Sequence, residues 1–192
     1  MSASLKVPEL MTVEEFLAWD APGPYRWQLV DGEPHAMAPT SDTHGAIQSE
    51  LARLLGNHLL AGSSPCRVIT APGVVPRVQS RTNFRIPDLG VTCPSRGGEE
   101  QPILLVEILS PSNRAETWSN VWTYITIPSV REVLVLRSDA ISADLLRRGA
   151  DGGWPERAET FGAGDLVLES IAFRVKLSDI YRTSRLAGDA GR

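Results

Sequence analysis

Residues 103–109 read Ile-Leu-Leu-Val-Glu-Ile-Leu, the most apolar stretch of the chain and the feature that most restricts its fold. Turn-forming residues bound it, with Pro, Gly and Glu before it and Ser110-Pro111-Ser112 after it. Such a run reads as a strand covered on both faces, which calls for a central place in a layered sheet. Glu107 interrupts it. A buried carboxylate without a partner is strongly disfavoured or takes up a proton. Three partners are open to Glu107: an arginine in a structural salt bridge, a protonated group, or a metal ion.

The surrounding pattern supplies the layers. Thr12-Val13-Glu14-Glu15 has the form of a capping box that opens a short helix, and Pro22-Gly23-Pro24 ends it. Asp31-Gly32, with Trp27 and Leu29 before it and Ala36 and Met37 after it, signals a hairpin. Ile47, Leu51, Leu54, Leu55 and His58 fall at helical spacing within residues 43–61. Strands are expected over 67–70, 73–78, 88–93, 103–109, 133–136, 143–146, 154–161 and 171–175, with helices over 113–125 and 177–181. The 192 residues are enough for one domain and carry no internal repeat or dividing linker. The expected organisation is a tail over 1–11, a single α/β domain over 12–182 with a mixed central sheet flanked by helices, and a frayed tail over 183–192. The hairpin adds to that core at the N-terminal end, and extra strands at the C-terminal end.

Composition removes whole mechanisms. Among 19 basic residues only Lys6 and Lys176 are lysine, so no Walker or Schiff-base lysine lies mid-chain. A net charge of −4 does not mark a general nucleic-acid or membrane binder. Residues 66–87 nevertheless hold Arg67, Arg77, Arg81 and Arg85 and no acid, which reads either as a solvated loop or as a phosphate-facing patch. Cys66 and Cys93 have neither a CxxC spacing nor nearby histidines, so no disulfide framework or zinc site is expected. With no signal peptide or long apolar run, the expected location is the cytoplasm.

Asp88 strengthens the metal alternative for Glu107. It follows Pro87 at the start of a core-like strand, and two successive strands with one inward carboxylate each can bring both to one end of a sheet. Two carboxylates with a backbone carbonyl and waters form an oxygen site suited to Mg²⁺ or Mn²⁺. His44 opens the long helix on its inward face, as a cap or as a site-lining group. Trp118, Val121, Trp122 and Ile125 form an apolar helical stripe, which reads as core or a dimer face rather than a platform for bases.

Trp27-Gln28-Leu29-Val30-Asp31-Gly32-Glu33, His44, Pro87-Asp88-Leu89-Gly90-Val91, and Val106-Glu107-Ile108-Leu109-Ser110-Pro111-Ser112 with Tyr124 together resemble the Uma-two family. This bacterial family of restriction endonucleases lies in the PD-(D/E)XK nuclease superfamily. The resemblance implies Mg²⁺-dependent DNA cleavage, with Asp88, Glu107 and the Ile108 carbonyl holding the ion and His44 and Tyr124 lining the site. It also implies DNA as a partner, with a homodimer as a further expectation and no role for a membrane. Two positions depart from the family. Asn120 stands where a lysine is usual, four residues before the tyrosine, and Gln28 stands where a glutamate is usual. Asn120 can orient a water but carries no charge. Arg85 and Arg114 are the candidate phosphate-facing replacements, able to stabilise charge but not to exchange a proton near pH 7. A weakened nuclease, or a degraded member kept for nucleic-acid binding or dimerisation, is therefore expected.

Overall fold

The computed structural model describes residues 10–188. Of the expected tails over 1–11 and 183–192, residues 1–9 and 189–192 lie outside the described residues.

Helix α1 (Val13–Ala18) begins at the expected capping box. Thr12 Oγ1 accepts from the Glu15 amide, and the Glu15 carboxylate accepts from the Thr12 amide at 2.7 Å. Strands β1 (Trp27–Val30) and β2 (Glu33–Ala36) form the hairpin, turning through Asp31 and Gly32 at φ of 50° and 90°. Glycine is the natural occupant of the second position, because a positive φ costs it nothing. Phe16 packs on Phe84, and Leu29 exchanges two backbone hydrogen bonds with Phe84, so α1 and the hairpin dock on the segment leading to Asp88.

Helix α2 (Asp42–Ala61) is capped by Ser41 and buries Ile47, Leu51, Leu55 and Leu59, spaced four apart, on one stripe. After it come β3 (Arg67–Thr70), β4 (Leu89–Pro94), β5 (Glu100–Leu109), α3 (Arg114–Tyr124), β6 (Glu132–Arg137), β7 (Ala143–Arg147) and β8 (Glu159–Phe161). These six strands form one sheet in the order β3-β4-β5-β6-β7-β8. Only β5 and β6 run parallel, and α3 makes the crossover between them. The central position expected for residues 103–109 is the one observed.

Side-chain alternation along β5 divides the core. Leu104, Val106 and Ile108 face α2, while Leu105 and Leu109 face Val121 and Tyr124 of α3. The first layer is completed by β9 (Asp165–Leu168), β10 (Phe173–Lys176) and α4 (Leu177–Tyr181), through Leu166, Leu168, Phe173 and Tyr181. The β4–β5 register shifts between Val91 and Thr92, so that Ile103 is the extra residue on β5, beside Pro102, which has no amide to donate.

Four expectations need correction. Residues 73–78 make only an isolated bridge between Val74 and Arg85, because Pro76 cannot continue a ladder. Of residues 154–161 only the last three are strand, Pro155 interrupting the rest. Residues 183–188 are not a frayed end: Ser184 is buried and a 3₁₀ turn covers Arg185–Gly188. Cys66 and Cys93 form a disulfide, because the Arg67–Thr92 pairing places them opposite each other on neighbouring strands.

Candidate active site

Asp88 and Glu107 meet because of strand register. Leu89 pairs with Val106 in the antiparallel β4–β5 ladder, so Asp88, the residue before β4, comes beside Glu107 and takes the Ile108 amide. Val106 and Ile108 face the α2 layer, so Glu107 between them points to the other side, toward α3, while Asp88, just before β4, reaches His44 at the start of α2. Both carboxylates lie in the floor of a cleft of about 210 Å³ bordered by residues 37–41 and the start of α3. Two carboxylates this close disfavour each other's ionisation, so something other than sheet stability must account for the pair.

The partners of each carboxylate define its character. Asp88 Oδ2 accepts the Ile108 amide at 2.7 Å, and Oδ1 lies 2.9 Å from His44 Nε2. With Asp88 ionised, the proton of that contact sits on the imidazole nitrogen. Gln48, one turn along α2 from His44, donates to the Asp88 backbone carbonyl at 2.7 Å. Glu107 is only 7 % exposed and has no Lys or Arg at salt-bridge distance among the described residues. Its Oε1 accepts the Tyr124 hydroxyl at 2.6 Å and, more distantly, the Asn120 amide at 3.5 Å. Burial pushes the Glu107 carboxyl well above the ordinary carboxylate range, and the Asp88 charge pushes it further. Burial also raises the Tyr124 phenol well above its usual value, so it stays a proton donor to Glu107.

The two positions that depart from the family pattern are tied into separate bonds. Gln28, on β1, donates to Glu116 Oε1 at 2.8 Å, while its own Oε1 is buried without a partner. Asn120 Oδ1 accepts from Arg85 Nη1 at 3.2 Å. Arg85 is itself 3 % exposed and donates through Nη2 to Asn83, which in turn binds Asp31 in the hairpin turn. Burial lowers the Arg85 basicity, and Tyr124, Asp31, Glu116 and Glu107 oppose that loss. Arg85 is thus the cation of the site, placed behind Asn120 rather than in the cleft lining, which corrects its expected phosphate-facing role. Arg114 is not brought to the site: it is exposed on the first turn of α3 and acts on Asp139. Ile108 meets Asp88 through its amide, and its side chain is in the opposite core layer.

Residues that sequence reasoning missed include Gln48, Asn83, Thr117 and the 37–41 segment. For Gln48 a signal was present, since it sits four residues after His44 on one helix face. Asn83 had none, because its role depends on the hairpin docking.

Residues 13–180 match the model of the Uma2 family, described as "putative restriction endonuclease". The chain belongs to this family. Its fold is similar to that of a "putative nuclease belonging to DUF820" from Anabaena variabilis ATCC 29413, whose crystal structure superposes with a TM-score of 0.71 at 17 % identity. The match covers 89 % of this chain and 97 % of that one. No curated protein matches the sequence. The Uma2 chain thus has the expected nuclease-type fold, a mixed six-stranded sheet flanked by helices. No helix among the described residues is long and apolar enough to cross a membrane.

A divalent cation fits the donor set of this Uma2 site. Among the described residues no three His, Cys, Asp or Glu side chains gather into a metal-binding cluster. Mg²⁺ does not require one, because it retains several waters and is commonly held by one or two carboxylates. Asp88 and Glu107 supply those, and the unpartnered Gln28 Oε1 is a further hard oxygen lining the same cleft.

Proposed function

We propose that this chain is a Mg²⁺- or Mn²⁺-dependent DNA endonuclease, working slowly because Asn120 and Gln28 carry no charge. One observation carries the reading. Two carboxylates oppose each other in an open cleft, and neither has a Lys or Arg partner at salt-bridge distance among the described residues. A structural ion pair would give Glu107 an arginine; Glu107 has a phenol and an amide instead.

In this reading Asp88 and Glu107 hold the ion, and when bound it polarises a phosphate oxygen and acidifies a water. The remaining work falls to the chain's own groups. His44 and the Ile108 amide fix both Asp88 oxygens, and Tyr124 fixes Glu107 Oε1, so the pair is preorganised. Asn120, backed by Arg85, presents its amide hydrogens toward Glu107 and orients a neighbouring acceptor without exchanging a proton. The missing proton-exchanging group accounts for a slow rate, since such help typically contributes about 10²- to 10⁴-fold.

The test is nicking of supercoiled plasmid with Mg²⁺ or Mn²⁺, before and after Asp88→Ala with Glu107→Ala. Slow cleavage lost in the double variant is expected; cleavage that survives it sinks the assignment. A second reading, a non-enzymatic nucleic-acid-binding or dimerisation module, is favoured by the amides of Gln28 and Asn120, both engaged with protein groups. It is the one that stands if only the Gln28→Glu, Asn120→Lys variant cleaves.

A further inference from the structure

A second cleft, of about 640 Å³, shares residues 37–40 and Asp88 with the first. The two clefts are thus neighbours along this short segment. Charge changes along it. The first part is lined by Asp88, Glu107 and Glu116, whereas the ionisable lining of the second is Asp88 at the junction and Arg26 beyond it. Tyr25 stands beside Arg26 and is 57 % exposed. Its ring lies over Gly23, whose φ is +72° and where a side chain would meet the ring at 3.2 Å. Arg26 is pinned through its carbonyl, which accepts the Met37 amide at 2.8 Å, while its guanidinium has no ion pair or hydrogen bond among the described residues. An exposed aromatic ring next to a free guanidinium suits a nucleotide, whose base stacks on the ring and whose phosphate pairs with the cation. The size lies within the range of small-molecule sites.

We infer that this second cleft binds a nucleotide flanking the cleaved bond, with its base stacked on Tyr25 and its phosphate on Arg26. This deepens the endonuclease reading and rests on it. The strand would pass from the acidic pocket, along residues 37–40 shared by both clefts, to Tyr25 and Arg26.

The experiment measures fluorescence anisotropy of fluorescein-labelled single-stranded and duplex DNA oligonucleotides, with Ca²⁺ present, for the full chain and for exposed-residue variants. Tyr25→Ala weakens binding about tenfold, and Tyr25→Phe restores it because the stacking face is kept. Arg26→Ala lowers the slope of log affinity against log salt by about 1, the signature of one lost phosphate contact. Unchanged affinity in Tyr25→Ala together with an unchanged salt slope in Arg26→Ala overturns the inference while leaving the endonuclease reading intact. A wild-type chain that binds neither DNA form overturns both.

Discussion

Replacing Glu107 by glutamine should make the protein more stable in the absence of divalent ions. Glutamine keeps an oxygen for the Tyr124 hydroxyl and the Asn120 amide, so the observed bonds survive. What disappears is a buried carboxyl held well above its ordinary value of 4.5 by burial and by Asp88. The sign follows from proton uptake. As pH rises past 4.5 the unfolded chain releases this proton while the folded chain retains it, so stability declines with pH until the folded group also ionises. At pH 7 the most this costs the fold is about 3 kcal/mol, and at pH 5 it is below about 1 kcal/mol. For a chain of this size Glu107→Gln therefore raises Tm by up to roughly 6–12 °C at pH 7 and by little at pH 5. The assay is thermal unfolding in EDTA at both pH values, repeated with Mg²⁺. Saturating ion stabilises wild type by roughly 3 kcal/mol at a hundredfold excess over Kd, and leaves the variant where it was. A variant less stable than wild type in EDTA at pH 7 would instead make the carboxylate a favourable structural partner of Tyr124 and Asn120 and sink this prediction.

The same substitution at Glu132 should have the opposite sign. Glu132 is fully buried and accepts from Arg147 Nε, the Glu169 and Ser170 amides and the Ser170 hydroxyl, so Glu132→Gln sets an amide against donors and costs about 3 kcal/mol, read as a lower midpoint in urea. Tyr181, buried with its hydroxyl donating to the Ser142 carbonyl, has its phenol pushed up to about 12. The unfolded phenol ionises near pH 10 and the folded one later, so stability present below pH 10 is lost between pH 10 and 12; Tyr181→Phe flattens that decline in alkaline unfolding curves.

The parts of the site legible in sequence were those governed by local period and register. The continuous apolar run at 103–109 located the central strand, and Glu107 stood out because alternation admits a carboxylate there only with a partner. Asp88 followed from its place at the head of the adjoining strand. The Thr12–Glu15 and Asp31-Gly32 signals are local, and both took the expected form. Contacts made by docking were not legible. Gln28 and Glu116 are 88 residues apart, and Arg85 and Asn120 are 35 apart; nothing in either segment specifies the other. Arg114 illustrates the converse, since a place at the start of the site helix left it exposed and outside the cleft lining. The Cys66–Cys93 pair depended on the β3–β4 register, which cysteine spacing alone does not encode.

The bulge at Ile103 divides the β4–β5 hairpin into two mechanically separate halves. On the inner side, the pairs from Leu89–Val106 to Val91–Leu104 set the distance between the carboxylates. On the outer side, pairing restarts at Thr92–Pro102 and runs to the exposed turn at residues 95–99. An insertion or deletion in that turn is taken up beyond the bulge and does not propagate inward as a one-residue slip, which would rotate Glu107 into the opposite layer. The turn is therefore a position where the chain tolerates grafted loops or tags while Asp88 and Glu107 stay in register.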